Sequence, residues 1–298
     1  MSGGGINGLC RNDDDWDALC SWFPAKSATD FGTFHDTGEH GTHTAATIAG
    51  RPVQGRSIGV APEAKLASAI VIEGGNVIAR ILGGMDWAIS QNVRVLSMSL
   101  GIRGFLDDFL DVTKIIRAKN ILPVFAVGNE GPGTSRSPGN YAQSLSIGAI
   151  DAKARIASFS SSQKFVRADD PIVPDIVAPG VNVISAKPGG GFQAMDGTSM
   201  ATPHVAGLAA LLMEAKPGAT AAEVESALFA SSTLGSISSA RGNRGFPDAV
   251  RAFTVLTGIT LNAASKKSSK AGASKTSSAG KKKSKSSKKT TKKHSTKK

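Results

Sequence analysis

From His40 onward, short apolar runs alternate with segments whose apolar residues recur at helical spacing. Lys65–Ile72 and Val93–Leu100 have the character of buried strands, and Val77–Ser90 between them has one apolar helical face. The alternation continues through helix Phe105–Ala118, strands Ile121–Val127, Leu145–Ile150, Ile176–Ala178 and Val181–Ile184, and helices Ala201–Ala215 and Ala221–Ala230. Strands that alternate with helices form mostly parallel sheets with right-handed crossovers. The order therefore predicts an α/β fold with a mostly parallel central sheet.

In such a sheet, ligands sit at the carboxyl ends of the strands. The loops that follow Ile72, Leu100 and Val127 are therefore candidate positions for a functional site. No stretch reaches the roughly 18 uninterrupted apolar residues of a membrane-spanning helix. The two cysteines, Cys10 and Cys20, cannot form a disulfide framework, and no Cys/His set has the spacing of a zinc site.

The formal net charge of +12 resides in the C-terminal tail. Of the 35 basic residues, 14 are lysines within residues 266–298, where there is no acid, so the first 265 residues carry 21 basic and 23 acidic residues. A nearly neutral body argues against a nucleic-acid-binding domain. The tail consists of Lys, Ser, Thr, Ala and Gly with one His, which cannot build a core, and it is predicted to be disordered.

A lysine-rich segment of this kind can bind polyanions by releasing their counterions. The tail contains no aromatic residue that could stack on bases, so any such binding is expected to be independent of sequence and sensitive to salt. A purely solubilising tail is the alternative interpretation.

Three long motifs follow one another in the body of the chain. They are His40-Gly41-Thr42-His43-Thr44-Ala45-Ala46, Ala126-Val127-Gly128-Asn129-Glu130-Gly131 and Gly197-Thr198-Ser199-Met200-Ala201-Thr202-Pro203-His204-Val205-Ala206-Gly207. With the shorter segments Met98–Gly101 and Pro174–Gly180, they resemble the subtilisin-like serine peptidases from about Asp36 to about Ala252. The resemblance implies a three-layer α/β/α fold and a serine endopeptidase that acts on polypeptides.

The resemblance also assigns roles to three residues. A serine hydroxyl is a poor nucleophile until a neighbouring base takes its proton, and the resemblance makes Ser199 the nucleophile and His40 the base. Ser199 lies at the start of an apolar helix, whose positive end favours negative charge. Asn129 follows an apolar strand, and its amide with the Ser199 backbone N–H would hold the oxyanion. The family uses the residue equivalent to His43 structurally.

Two further segments, Ser99-Leu100-Gly101 and Ala126-Val127-Gly128, resemble those that pair with an extended substrate and wall the first specificity pocket. Glycine suits both, because a peptide backbone must approach closely. The same resemblance puts Arg136 near the base of that pocket, which suggests a preference for an acidic or polar side chain at the cleaved residue. A solvated loop arginine is the alternative.

The aspartate that orients the histidine in this family is harder to find. Asp36 begins an Asp-Thr-Gly, but it lies four residues before His40 and follows no apolar strand, so it is interpreted as a loop residue. The acidic cluster within Asp13–Asp17 follows Ile6–Asn12, which is a poor strand, and is interpreted as a solvated loop. The chain is therefore expected to lack the first core strand and the triad aspartate.

Three explanations of this absence remain open. The start codon or reading frame is misassigned and the protein is longer, the gene is a degraded copy, or one of the clustered aspartates substitutes from a rearranged loop. Loss of the aspartate lowers the turnover of related proteases about 10⁴-fold. An inactive homologue that binds peptides or polyanions is therefore the alternative to the enzyme.

The expected organisation is an irregular segment 1–35, a peptidase domain 36–258 and a tail 259–298. The loop Gly50–Ser57 is basic and carries no carboxylate, so no calcium site is expected there, and no cofactor or other metal is predicted. Met1–Gly8 lacks the basic and apolar regions of a signal peptide, which predicts a cytoplasmic protein as written and a secreted one if the chain is longer. A monomer is expected.

Overall fold

A computed structural model describes residues 5–10, 38–53, 55–72 and 75–261, with the backbone alone for Gly5–Cys10. Contacts between residues separate the chain into Met1–Leu261 and Asn262–Lys298, and every described residue belongs to the first unit. The predicted disorder of the tail therefore lies outside the described residues. No helix in the described part of the chain is long and apolar enough to cross a membrane.

The helices of the described residues are α1 His40–Ala49, α2 Val77–Ser90, α3 Leu110–Ala118, α4 Thr198–Ala215, α5 Ala221–Ser231, α6 Ser239–Gly242 and α7 Ala249–Thr257. The strands are β1 Gly5–Cys10, β2 Lys65–Ile70, β3 Val95–Met98, β4 Ile102–Arg103, β5 Leu122–Ala126, β6 Arg136–Ser137, β7 Leu145–Ile150, β8 Gln163–Lys164, β9 Ile172–Val173, β10 Ile176–Pro179, β11 Val183–Ala186, β12 Phe192–Met195, β13 Ser232–Thr233 and β14 Phe246–Pro247.

Six strands form the central sheet in the order β10-β7-β5-β3-β1-β2. The neighbours β3 and β5, β5 and β7, and β7 and β10 pair in parallel, whereas β1 is antiparallel to both β2 and β3. All strands of this sheet except β1 therefore run in one direction. The predicted α/β fold with a mostly parallel sheet is confirmed.

Helices cover both faces of this sheet. Val95 and Val124 point to an apolar cluster that includes residues of α1, α4, α5 and α7. Leu96 and Phe125, their counterparts on the other face, belong to a second cluster with residues of α2 and α3. Because both faces are buried, the central strands are apolar throughout, which explains the uninterrupted apolar runs in the sequence.

The strand β1 was not expected from the sequence. The interpretation of Ile6–Asn12 as a poor strand is wrong, because Gly5–Cys10 forms a strand between β3 and β2. In its pairing with β2, Gly5 lies opposite Ile70 and Cys10 lies opposite Lys65. Two glycines and an asparagine lower its strand propensity. Its neighbours on both sides nevertheless have backbone N–H and C=O groups that need partners, and this tertiary demand outweighs local propensity.

The direction of β1 bears on the triad aspartate that the sequence is expected to lack. Because β1 runs against the other strands, Cys10 lies beside Lys65, at the amino ends of the parallel strands. The chain therefore leaves β1 at the edge opposite to the carboxyl ends of β3 and β5. Asp36 and the acidic cluster Asp13–Asp17 lie outside the described residues, so their interpretation as loop residues and the domain boundaries stay predictions.

Two helices begin elsewhere than predicted. The helix expected from Phe105 starts at Leu110, because tertiary contacts hold the preceding residues as a loop: the backbone N–H of Leu106 donates to Ser137 Oγ at 2.9 Å, and the ring of Phe105 packs on Tyr141. The helix expected from Ala201 starts three residues earlier, at Thr198.

A buried carboxyl group lies where β7 meets β10. Asp175 is 2 % exposed, and its Oδ2 accepts a hydrogen bond from the backbone N–H of Ser146 at 2.7 Å. Arg244 approaches its Oδ1 at 3.4 Å and also pairs with Asp170. Burial raises the pKa of Asp175 to about 7, and the neighbouring Asp170 adds to the rise, although the Ser146 N–H and Arg244 oppose it.

This carboxyl group should make the stability of the protein depend on pH. Its pKa in the folded state is raised, so its stabilising contribution is complete below the unfolded value near 4 and is lost as the pH rises to about 7. Relative to Asp175→Asn, the free energy of unfolding of the wild type should fall by up to about 1.4 kcal/mol per pH unit across this window. Urea denaturation of both proteins between pH 4.5 and pH 8 measures the difference. Parallel curves for the two proteins would contradict the assignment.

Candidate active site

The helices α1 and α4 lie side by side and run in the same direction. His43 of α1 is close enough to His204 of α4 for its charge to lower the pKa of His204. Further along both helices, the carbonyl of Ile48 would lie 3.4 Å from a Cβ atom placed on Gly207. A later residue of α1 thus contacts a later residue of α4, so the two helices are parallel. His40, the first residue of α1, and Ser199, the second residue of α4, therefore lie at the same end of the pair.

Ser199 is tethered to the carboxyl end of β3 by two hydrogen bonds. Its hydroxyl donates to the carbonyl of Ser99 at 3.1 Å, and the hydroxyl of Ser99 donates to the carbonyl of Ser199 at 2.8 Å. The Ser199 side chain is partly buried within the first turn of α4, where the helix dipole is positive. A negative charge that develops beside this hydroxyl would be stabilised by the helix terminus.

Asn129 follows β5 and is oriented by the start of α4. Its Oδ1 accepts from both the backbone N–H and the hydroxyl of Thr198, each at 2.9 Å. A Cβ placed on Gly197 would lie 3.6 Å from Asn129 Nδ2 and 3.5 Å from the backbone N of Ser199. The side-chain amide of Asn129 and the backbone N–H of Ser199 therefore lie around one small volume. No side chain of residue 197 occupies this volume, because that residue is a glycine.

The predicted substrate-binding segments follow the same two strands. Ser99, Leu100 and Gly101 come directly after β3, while Ala126 ends β5 and is followed by Val127 and Gly128. The backbone groups of Val127 and Gly128 already bond to protein groups, including the N–H of Arg136 and the hydroxyl of Thr198. These residues form a wall beside Asn129, and their pairing with a substrate stays a prediction.

Arg136 lies between the two segments. Cβ atoms placed on Gly101 and Gly128 would each lie 3.0 Å from its side-chain carbons. Its Nε donates to Glu130 Oε1 at 2.9 Å, its Nη1 donates to the carbonyl of Gly101 at 2.7 Å, and the bond to Arg136 lowers the pKa of Glu130. The alternative of a solvated loop arginine does not describe this side chain, but Glu130 compensates its charge. The predicted acidic preference stays a prediction.

The chain matches the model of the subtilase family over residues 8–291. The chain belongs to the subtilase family. Subtilisin E of Bacillus subtilis (strain 168) is 37% identical over 206 residues, which cover 67% of this subtilase and 52% of the relative. The subtilisin of Bacillus pumilus is 38% identical over 210 residues, which cover 68% and 74% of the two chains. This subtilase thus spans about half the length of subtilisin E.

Solved structures agree with this membership. The patellamide maturation protease PatA superposes on this subtilase with a TM-score of 0.62 and 27% identity, covering 74% of this chain and 84% of that one. The prenylagaramide maturation protease PagA gives a TM-score of 0.61 at 25% identity, with 74% and 83% coverage. The subtilisin-like fold inferred from the sequence is therefore confirmed.

Sequence reasoning gave no role to Thr198 or to the side chain of Ser99, which hold Asn129 and Ser199 in place in this subtilase. Thr198 lies inside the third motif, directly before Ser199, and this position could have indicated a role in the site. His43 is buried, and its Nε2 donates to the carbonyl of Val183 at 3.0 Å. Burial lowers the pKa of His43, so the ring is neutral at pH 7 and holds the β11–β12 hairpin beside α1.

Within the described residues, no three His, Cys, Asp or Glu side chains come together as a metal site would require. The loop Gly50–Ser57, which is described apart from Gln54, pairs Val53 with Arg56 and brings no carboxylate of its own.

Proposed function

We propose that this subtilase is a serine endopeptidase that hydrolyses polypeptides. Ser199 attacks the scissile carbonyl, and His40 takes its proton and later gives it to the leaving amine. The amide of Asn129 and the backbone N–H of Ser199 bind the oxyanion of the tetrahedral intermediate. Ser99–Gly101 and Ala126–Gly128 hold the substrate on either side of the cleft.

One observation carries this proposal: the amide of Asn129 and the backbone N–H of Ser199 lie around one small volume next to Gly197. Donors of this kind act on charge that develops during the reaction, and they need no reorganisation because Thr198 already fixes Asn129. The common end of α1 and α4 supports His40 as the base, since it brings the first turns of both helices together.

An inactive homologue is the second candidate, and the expected lack of a triad aspartate favours it. In that case the same cleft would bind peptides without cleaving them. A fluorophosphonate probe separates the two candidates, because it labels a serine only when a base activates it. Labelling of the wild type but not of Ser199→Ala would support the enzyme. A folded wild type that stays unlabelled would support the inactive homologue.

We also propose that the lysine-rich tail binds polyanions without sequence preference. The basis is its 14 lysines and absence of acids within residues 266–298. The full chain should bind heparin and duplex DNA more tightly than residues 1–265, and its affinity should fall steeply between 50 and 200 mM salt, by about 10³-fold or more if six lysines contact phosphates. Chromatography on heparin and titrations with DNA at the two salt concentrations measure this. Equal binding by the two proteins would remove the proposal.

A further inference from the structure

A cleft of about 340 Å³ lies between α4, the carboxyl ends of β7 and β10, and β14. Apolar side chains, among them Ile150, Val177, Leu208 and Phe246, form most of its wall. Its volume is at the lower end of the range for small-molecule sites, about 300–1,000 Å³. Carboxyl ends of parallel strands are also where α/β proteins bind ligands.

Two ionisable residues are found among the residues that line this cleft, and one of them is already bonded. Asp151 accepts from the backbone N–H groups of Lys153 and Arg155 at 2.8 and 3.0 Å, and from Arg155 Nε at 2.8 Å. Both of its oxygens are therefore in use. The other group, His204, is the one that can recognise a ligand.

The hydrogen bonding of His204 determines whether its free ring nitrogen can accept a hydrogen bond from a ligand. Its Nδ1 lies 2.8 Å from the carbonyl of Met200, and because a carbonyl can only accept, Nδ1 carries the proton. Burial lowers the pKa of His204, so the ring is neutral at pH 7. Its Nε2 has no hydrogen-bond partner among the described residues and is left as an acceptor.

We propose that this cleft binds a small neutral aromatic molecule that carries one hydrogen-bond donor, of the phenol type. The ring would pack against Phe246 and the aliphatic wall, and the hydroxyl would donate to His204 Nε2. A charged ligand is disfavoured, because the wall offers no counter-charge that is not already paired. The bound molecule would contact His204, which lies five residues after Ser199 on the same helix.

The proposal is tested with 4-ethylphenol, 4-ethylanisole and 4-hydroxybenzoate on the full chain at pH 7.5. We expect 4-ethylphenol to raise the melting temperature with its concentration and to shift the ring signals of His204 in NMR spectra. 4-Ethylanisole keeps the shape but lacks the donor, so it should bind about two- to tenfold more weakly. 4-Hydroxybenzoate is an anion at this pH and should not bind.

Two variants locate the site. His204→Phe removes the acceptor and should bring the affinities of 4-ethylphenol and 4-ethylanisole within about twofold of each other. Ala152→Trp fills the cleft from its exposed rim, where the fold tolerates a large side chain, and should abolish binding of both. Equal affinity of the phenol and the anisole in the wild type would overturn the proposal. Unchanged binding to Ala152→Trp would also overturn it, because the ligand would then occupy another site.

Discussion

Replacing Ser199 or His40 by alanine is expected to lower the kcat of peptide hydrolysis by at least about 10²-fold, and the double variant should be no slower than either single variant. A hydroxyl and the imidazole that activates it work as a unit, so once one is lost the other contributes nothing. The measurement is kcat on a peptide amide substrate, with circular dichroism to show that each variant is folded. Losses that multiply in the double variant would contradict shared action of the two residues.

The size of this loss also shows whether an aspartate assists His40. In subtilisin itself, removal of the serine costs about 10⁶-fold in kcat and removal of the aspartate alone about 10⁴-fold. The loss on Ser199→Ala should therefore be about 10⁶-fold if an acid assists His40, and only about 10²-fold if none does. Asp36→Asn is the matched control, since a loop residue at this position predicts a kcat within about threefold of the wild type.

Asn129→Gly should lower kcat by about 10²–10³-fold and leave KM nearly unchanged, a range measured on subtilisin rather than derived from this chain. The physical reason is that the Asn129 amide donates to charge that exists in the transition state and is absent from the bound substrate. Steady-state kinetics on the same substrate separate the two constants. A rise in KM with an unchanged kcat would show that Asn129 binds substrate and does not stabilise the oxyanion.

Thr198→Val is the control for this prediction. The variant keeps the shape of Thr198 but loses the hydroxyl that donates to Asn129 Oδ1, while the backbone N–H of residue 198 continues to hold that oxygen. The variant also loses the bond between this hydroxyl and the backbone N–H of Gly128. The loss in kcat should still be about tenfold or less, because the Asn129 amide that donates to the oxyanion remains. A larger loss for Thr198→Val than for Asn129→Gly would contradict the proposed roles.

Much of the fold could be predicted from local pattern. Val77–Ser90 and Leu145–Ile150 were predicted with the bounds that the structure has, because each carries its apolar residues at a regular spacing that one secondary structure satisfies. Phe105 also fits a helical pattern, yet it lies outside α3. Its ring packs on Tyr141, and the backbone of the next residue bonds to Ser137, contacts that connect residues some thirty positions apart.

The motifs by themselves determined which residues are candidates for the chemistry and that they would follow the strands of a parallel sheet. Only the tertiary structure decided how Asn129 is held, that Glu130 compensates Arg136, and that β1 enters the sheet antiparallel. Each of these depends on hydrogen bonds and charges between segments distant in sequence. Spacing along the chain specifies which groups are available, but partners across the fold decide where those groups point and what charge they keep.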